Sequence, residues 1–138
     1  MATIETFYID ELRTEAQHLY SGTKLITDAP LDNQGKAESF SPTDLLAASL
    51  GSCMITVVGI AARTQGFELK LRGTRIEITK IMKSDPRRVG EIKVDVHFPK
   101  TESFSEKERK IVEHTARTCP VALSLHLDLV QSWNFIWE

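Results

Sequence analysis

Residues 41–66, Ser-Pro-Thr-Asp-Leu-Leu-Ala-Ala-Ser-Leu-Gly-Ser-Cys-Met-Ile-Thr-Val-Val-Gly-Ile-Ala-Ala-Arg-Thr-Gln-Gly, contain the start and the stop of one long helix. Ser41 can serve as N-cap, Pro42 suits the first helical position, and Asp44 at the third position can reach back to the Ser41 amide. At the other end Arg63 complements the helix dipole and Gly66 can adopt the left-handed conformation that ends a helix. The signals predict a helix over Pro42–Gln65, about six turns. From Leu45 to Ala62 it carries no charged side chain. A run of this length can in principle cross a membrane. Ser49, Gly51, Ser52, Thr56 and Gly59 dilute it, however, and a helix apolar nearly all round reads as the core of a soluble protein.

Upstream, the first forty residues read as short strands and turns. Ser21-Gly22 separates His18–Tyr20 from Thr23–Thr27, as in a hairpin, and 29–40 reads as a loop. Downstream, Phe67, Leu69 and Leu71 alternate with charged residues and predict a strand, whose phase slips across Gly73 as if at a bulge. Ile76 and Ile78, then Ile92, Val94, Val96 and Phe98, predict an antiparallel pair around a turn at 84–90. Ser105 and Glu108 form a second capping box, opening a helix to about Arg117 with Ile111, Val112 and Thr115 on its apolar face. Cys119-Pro120 opens a short helix to about His126. Leu127, Leu129, Trp133, Phe135 and Trp137 share the parity of a closing strand.

With 138 residues, 41% of them apolar, the chain suits one domain with a sizeable core. A formal charge of −2 offers no basic field for nucleic acid or for a membrane surface. The four histidines (His18, His97, His114, His126) are scattered, and none shares zinc-ligand spacing with a cysteine. Met1–Leu12 has acidic residues at Glu5, Asp10 and Glu11 and no apolar segment typical of export, so a cytoplasmic protein is expected.

In such a compartment the only two cysteines, Cys53 and Cys119, are expected as thiols rather than a structural disulfide. Cys53 lies mid-helix, about 16 Å from the helix start, where the dipole does little for it. Ser49 and Thr56, one turn to either side, would make a small polar notch around it; the plain alternative is a buried cysteine acting as a small hydrophobe. Cys119 stands at the N-cap of its helix, where backbone N–H groups would lower its pKa, unless it merely caps a loop. Two thiols of this kind allow a cycle in which one attacks an O–O bond and the other condenses with the resulting sulfenic acid. Asp44 is the candidate carboxylate, but nine helical residues place it about 13–14 Å from Cys53 and on the opposite side of the helix. His114, five positions before Cys119, is better read as an exposed helix residue than as its base.

Ser41–Cys53, followed by Thr118-Cys119-Pro120-Val121, resembles the OsmC/Ohr family of osmotically induced and organic hydroperoxide resistance proteins. The resemblance runs through the element order of the whole chain, making 1–138 one OsmC-like domain. It implies an α+β fold of antiparallel sheets around a long buried central helix. It also implies an intertwined homodimer, with the two central helices in contact and the sites at the interface. Ala47, Ala48, Gly51, Ala61 and Ala62 would permit that contact.

The resemblance further implies thiol-dependent reduction of organic hydroperoxides, an antioxidant peroxidase activity of oxidative stress. Cys53 matches the peroxidatic cysteine and Cys119 the resolving one. No bound cofactor is implied, and the reductant is an external dithiol, often lipoyl-linked. Two departures stand out. The Asn-Pro-Glu motif of the better-known peroxidase branches, whose glutamate holds a catalytic arginine, has Thr43 at the glutamate position and Asp44 one residue later. No arginine lies in the family's arginine motif; Arg13 is the only one in the N-terminal region, with Lys24 and Lys36 as substitute point charges. The alternative functions are a binding module that holds an apolar or thiol-reactive ligand, and a structural dimer stapled by a Cys53–Cys119 disulfide.

Overall fold

Residues Met1–Leu46 and Ala47–Glu138 form two compact units. The computed structural model describes residues 1–137, and the architecture is α+β.

The N-terminal unit is a three-stranded antiparallel sheet in the order β1 (Ile4–Asp10), β2 (Arg13–His18), β3 (Lys24–Asp28). The β1–β2 turn has no glycine. Glu11 and Leu12 adopt positive φ (51° and 65°), with the Glu11 N–H donating to Asp10 Oδ1 at 2.8 Å and the Leu12 N–H to the Tyr8 hydroxyl at 3.1 Å. The predicted Ser21-Gly22 hairpin is present, closed by the His18 N–H donating to the Thr23 carbonyl at 2.8 Å. Its first strand, however, begins as early as Arg13. Residues 29–40 form a loop around one short 3-10 turn, Leu31–Asn33.

Helix α1 spans Pro42–Gln65, the predicted bounds. Its capping box is formed at both halves: the Ser41 N–H donates to Asp44 Oδ2 at 2.9 Å and the Asp44 N–H to Ser41 Oγ at 3.0 Å. Gly66, with φ of +84°, follows its last turn. The helix is not buried all round as expected. Ala47, Leu50, Gly51, Met54, Val58 and Ala62 form one buried stripe at helical spacing, while Ile60 on the other side is 60% exposed. Three of the five small residues predicted for contact between helices, Ala47, Gly51 and Ala62, are thus used inside the chain.

The stripe joins a core with a second sheet, ordered β4 (Arg75–Lys83), β5 (Arg88–His97), β6 (Val130–Ile136). β5 is the middle strand, and its inward residues Ile92, Val94 and Val96 are completely buried. Register sets Ile78, Val94 and Trp133 in one rung and Ile76, Val96 and Phe135 in the next. β4 and β5 are antiparallel as predicted, but β6 runs parallel to β5, so this sheet is mixed rather than antiparallel. Leu127, expected on the inner face of the closing strand, precedes that strand and is fully exposed.

Residues 67–73 do not form the predicted strand. Glu68–Leu71 is a 3-10 turn that buries Phe67 and Leu71 and leaves Leu69 72% exposed. Gly73, at φ +88°, sits in the following turn, so there is no strand there to bulge; the register shift lies at Ile81/Met82. Helix α2 (Glu106–Ala116) has the predicted Ser105–Glu108 capping box. Its buried residues are Val112 and Ala116, with Ile111 half-buried. Helix α3 (Pro120–Ser124) is two residues shorter than expected.

Candidate functional site

Cys53 occupies the middle of α1, next to the buried residue Met54. Rotating the helix to move the thiol would expose Leu50, Met54 and Val58, each at a cost of about 1.5–3 kcal/mol. Close approach to the sheet adds to this constraint: a Cβ on Gly51 would lie 2.4 Å from Ile78 Cδ1. The orientation of Cys53 is therefore set by packing two and one residues away. The thiol is half-buried and rests on the core cluster to which Cys119 belongs.

Cys119 reaches that cluster from a different element. Pro120 stands at the first position of α3, and the Cys119 sulfur caps the helix by accepting the Ala122 N–H at 3.4 Å. It is 0% exposed. Both cysteines are free thiols, and both pack in the same core cluster. The structure thus brings together the two thiols singled out from the sequence.

The cap does not lower the Cys119 pKa as expected. Burial pushes the thiol up, and the neighbouring Cys53 pushes it further; the backbone N–H groups of Ala122 and Val121 pull the other way and are outweighed. A helix of five residues has little dipole to offer, whereas loss of hydration acts in full on an anion. Cys119 is a neutral thiol at neutral pH.

The supposed polar notch around Cys53 is also different. Thr56 is exposed, and its hydroxyl donates to the Ser52 carbonyl at 2.7 Å, back along its own helix. His114 is exposed on α2, as anticipated, and its carbonyl accepts the Thr118 hydroxyl at 3.4 Å. Asp44 engages Ser41 in the capping box at the start of α1, whereas Cys53 lies three turns further along.

Within the N-terminal unit, each of the three cations considered from the sequence has an acidic partner. Arg13 donates to Asp28 Oδ2 at 3.2 Å and also to Glu38; Lys36 pairs with Glu11 at 3.0 Å and Lys24 with Glu15 at 3.7 Å. The Asp28 side chain is wholly buried, and the Glu38 N–H donates to the same Oδ2 at 3.0 Å. That backbone N–H, and then Arg13, hold the Asp28 carboxyl below the usual carboxylate range against the opposing effect of burial. Asp28 and Glu38 were missed as arginine partners because strand register sets Arg13 opposite Asp28, and the return of the 29–40 loop, whose Glu38 N–H bonds Asp28, adds Glu38; neither is a matter of local sequence.

The model for OsmC-like proteins matches residues 35–130. Among solved structures, a Psychrobacter arcticus 273-4 protein, described provisionally as an osmotic stress induced and detoxification response protein, is 49% identical. It superposes with a TM-score of 0.91 over 98% of this chain and 96% of its own. An organic hydroperoxide resistance protein OsmC from Legionella pneumophila shares 14% identity at a TM-score of 0.75, covering 99% and 98% of the two chains. The organic hydroperoxide resistance protein OhrB of Bacillus subtilis shares 15% at 0.66, covering 97% and 98%. At these identities the last two likenesses are of fold. No curated protein matches the chain. With the family model spanning more than half of its length, the chain belongs to the OsmC-like protein family.

Proposed function

We propose that this protein reduces organic hydroperoxides with its two thiols, Cys53 attacking and Cys119 resolving. The observation that carries the reading is the meeting, in one core cluster, of a half-buried and a fully buried free thiol from separate helices. The difference in burial supports the order: a hydroperoxide must reach the first sulfur, and Cys119 is closed to it. In the first step the Cys53 thiolate attacks one oxygen of the O–O bond. That bond breaks, Cys53 becomes a sulfenic acid, and the departing alkoxide takes a proton from solvent to leave as the alcohol. In the second, the Cys119 sulfur attacks the sulfenic sulfur; the S–S bond forms, and the hydroxyl leaves as water with the Cys119 proton. An external dithiol, lipoyl-linked in the favoured version, then exchanges with the disulfide and is itself oxidised. Such a reductant fits a cytoplasmic protein.

The working form is proposed to be a homodimer. Supporting this, the first sheet leaves Ile4, Phe7, Tyr8 and Ile9 more than half exposed, and Ile60 projects from the uncovered side of α1.

A second reading is a non-catalytic module whose thiols line a ligand site. It is favoured by the engagement of Arg13, Lys24 and Lys36 with carboxylates. Consumption of cumene hydroperoxide with dihydrolipoamide as reductant separates the two. Wild type is expected to turn over and Cys53→Ser to fall to the uncatalysed background; equal consumption by both would sink the peroxidase reading. Sedimentation of the same wild-type sample tests the dimer, which a monomer at assay concentration would rule out.

A further inference from the structure

We propose that this protein binds a small carboxylate or phosphate in an open cavity of about 390 Å³ lined by Lys100, Glu102, Ser103, Arg109 and Trp137. That volume lies in the range of small-molecule sites. Neither cysteine lines the cavity, so the site stands apart from the peroxidase reading. Two cations face one carboxylate in its wall, which leaves it positive.

Arg109 is held in place without being neutralised. Its guanidinium lies over the Trp137 ring, 5.2 Å from the centroid. Trp137 is itself pinned: it stacks on Phe98 at 3.8 Å and 7°, and its Nε1 donates to Glu113 Oε2 at 3.3 Å. Arg109 Nε is closed to water and has no hydrogen-bond acceptor. Among the described residues no carboxylate pairs with this guanidinium. The acids of its own helix are engaged elsewhere: Glu106 with Lys110, Glu108 with Lys70 and Ser105, Glu113 with Trp137. Arg13, Arg63, Arg75 and Arg88, by contrast, all have carboxylate partners.

A partly dehydrated cation with no counter-charge is unfavourable, and an oxyanion in the cavity offsets that penalty. The guanidinium fork matches two oxygens of a carboxylate or phosphate. A side chain already stacked on a fixed ring loses little freedom when it binds. Lys100 adds an exposed point charge, and Ser103 a hydroxyl donor.

The test follows the indole N–H signals of Trp133 and Trp137 by NMR in the nitrogen-labelled full chain, at neutral pH and constant ionic strength. Sodium phosphate, sodium benzoate and sodium chloride are titrated in separate arms. The Trp137 signal is expected to shift saturably with phosphate or benzoate and more than that of Trp133; the tighter arm identifies the headgroup. Arg109→Gln should weaken that binding about tenfold or more, the effect of losing a hydrogen bond between charged groups. No saturable shift, the same shift with chloride, or undiminished binding in Arg109→Gln would overturn the proposal. If Arg109→Gln does not fold, Glu102→Gln decides: removing an exposed acid from the wall should tighten binding about twofold, and unchanged or weaker binding refutes the site. Glu138→Gln is expected to leave the affinity within about twofold; a gain of about tenfold would give the place to the chain's own carboxylate and likewise overturn the proposal.

Discussion

Gly51→Ala is a sharp test of how the site is positioned, because two large effects oppose each other at that residue. Alanine in a helix interior is favoured over glycine by about 1 kcal/mol. Against this, the new Cβ would lie 2.4 Å from Ile78 Cδ1, 3.1 Å from Ile78 Cγ1 and 3.5 Å from Ile76 Cγ2. Carbon atoms prefer about 3.5–4.0 Å, so the end of Ile78 must move by more than an ångström. Ile78 lies in a rung with Val94, which is fully buried, and overpacking in such a place costs about 1–3 kcal/mol. The net expectation is a loss of about 1 kcal/mol, or about 3–4 °C in Tm for a chain of this size.

Ile78→Val removes the clashing Cδ1 at a cost of about 0.5–1.5 kcal/mol alone. The double variant should therefore be more stable than the sum of the singles by about 1 kcal/mol or more. Urea or thermal unfolding of the four proteins measures that coupling. Additivity within about 0.5 kcal/mol, or a Gly51→Ala protein more stable than wild type, would refute close approach of α1 to β4 as the constraint on Cys53.

Two further predictions concern the caps and the buried thiol. Asp44→Ala removes the acceptor for the Ser41 N–H and a favourable first-turn charge, and is expected to cost about 1 kcal/mol in thermal unfolding, with Asp44→Asn costing less. Both should leave the first-step rate at Cys53 within a few-fold of wild type; a loss of tenfold or more would return Asp44 to the chemistry. For Cys119 the folded pKa lies above the ordinary value of 9.0, so the folded state holds its proton more tightly than the unfolded chain. Its contribution to stability is fully present below about pH 9 and is lost as pH rises toward the folded pKa. In the reduced protein, the Tm advantage of wild type over Cys119→Ser should accordingly shrink between pH 8 and 10.5; a constant difference would contradict the shift.

Much of the fold was legible because its strongest signals are local. Ser41-Pro42-Thr43-Asp44 and Gly66 delimit α1, and Ser105 with Glu108 opens α2, because a capping box is a matter of three residues' spacing. Alternation over Ile92–Phe98 gave β5 for the same reason. The failures lie where two structures share one pattern. Phe67, Leu69 and Leu71 satisfy a period of two, but the chain turns here in a 3-10 segment, and the core takes Phe67 and Leu71 while Leu69 stays outside. The direction of β6 was illegible for another reason: parallel and antiparallel neighbours place the same residues inward, so inward parity is silent on strand direction.

At the site, residue identity was legible and environment was not. Cys119-Pro120 announces an N-cap, and the cap exists, yet the consequence drawn from it has the wrong sign. Local sequence encodes the N–H groups that face a sulfur; burial depends on what the rest of the chain lays over it, here a core built from residues as distant as Leu50 and Val94. The two contributions act on the same proton, and the larger comes from the non-local one. That inversion alters the chemistry assigned to the residue. A low-pKa Cys119 would compete with Cys53 for the first attack and would have no proton to give. In the proposed cycle a buried, protonated Cys119 cannot compete, and it is left the second step. The difference in burial between the two thiols, which no motif records, is what supports the order of attack in the proposed cycle.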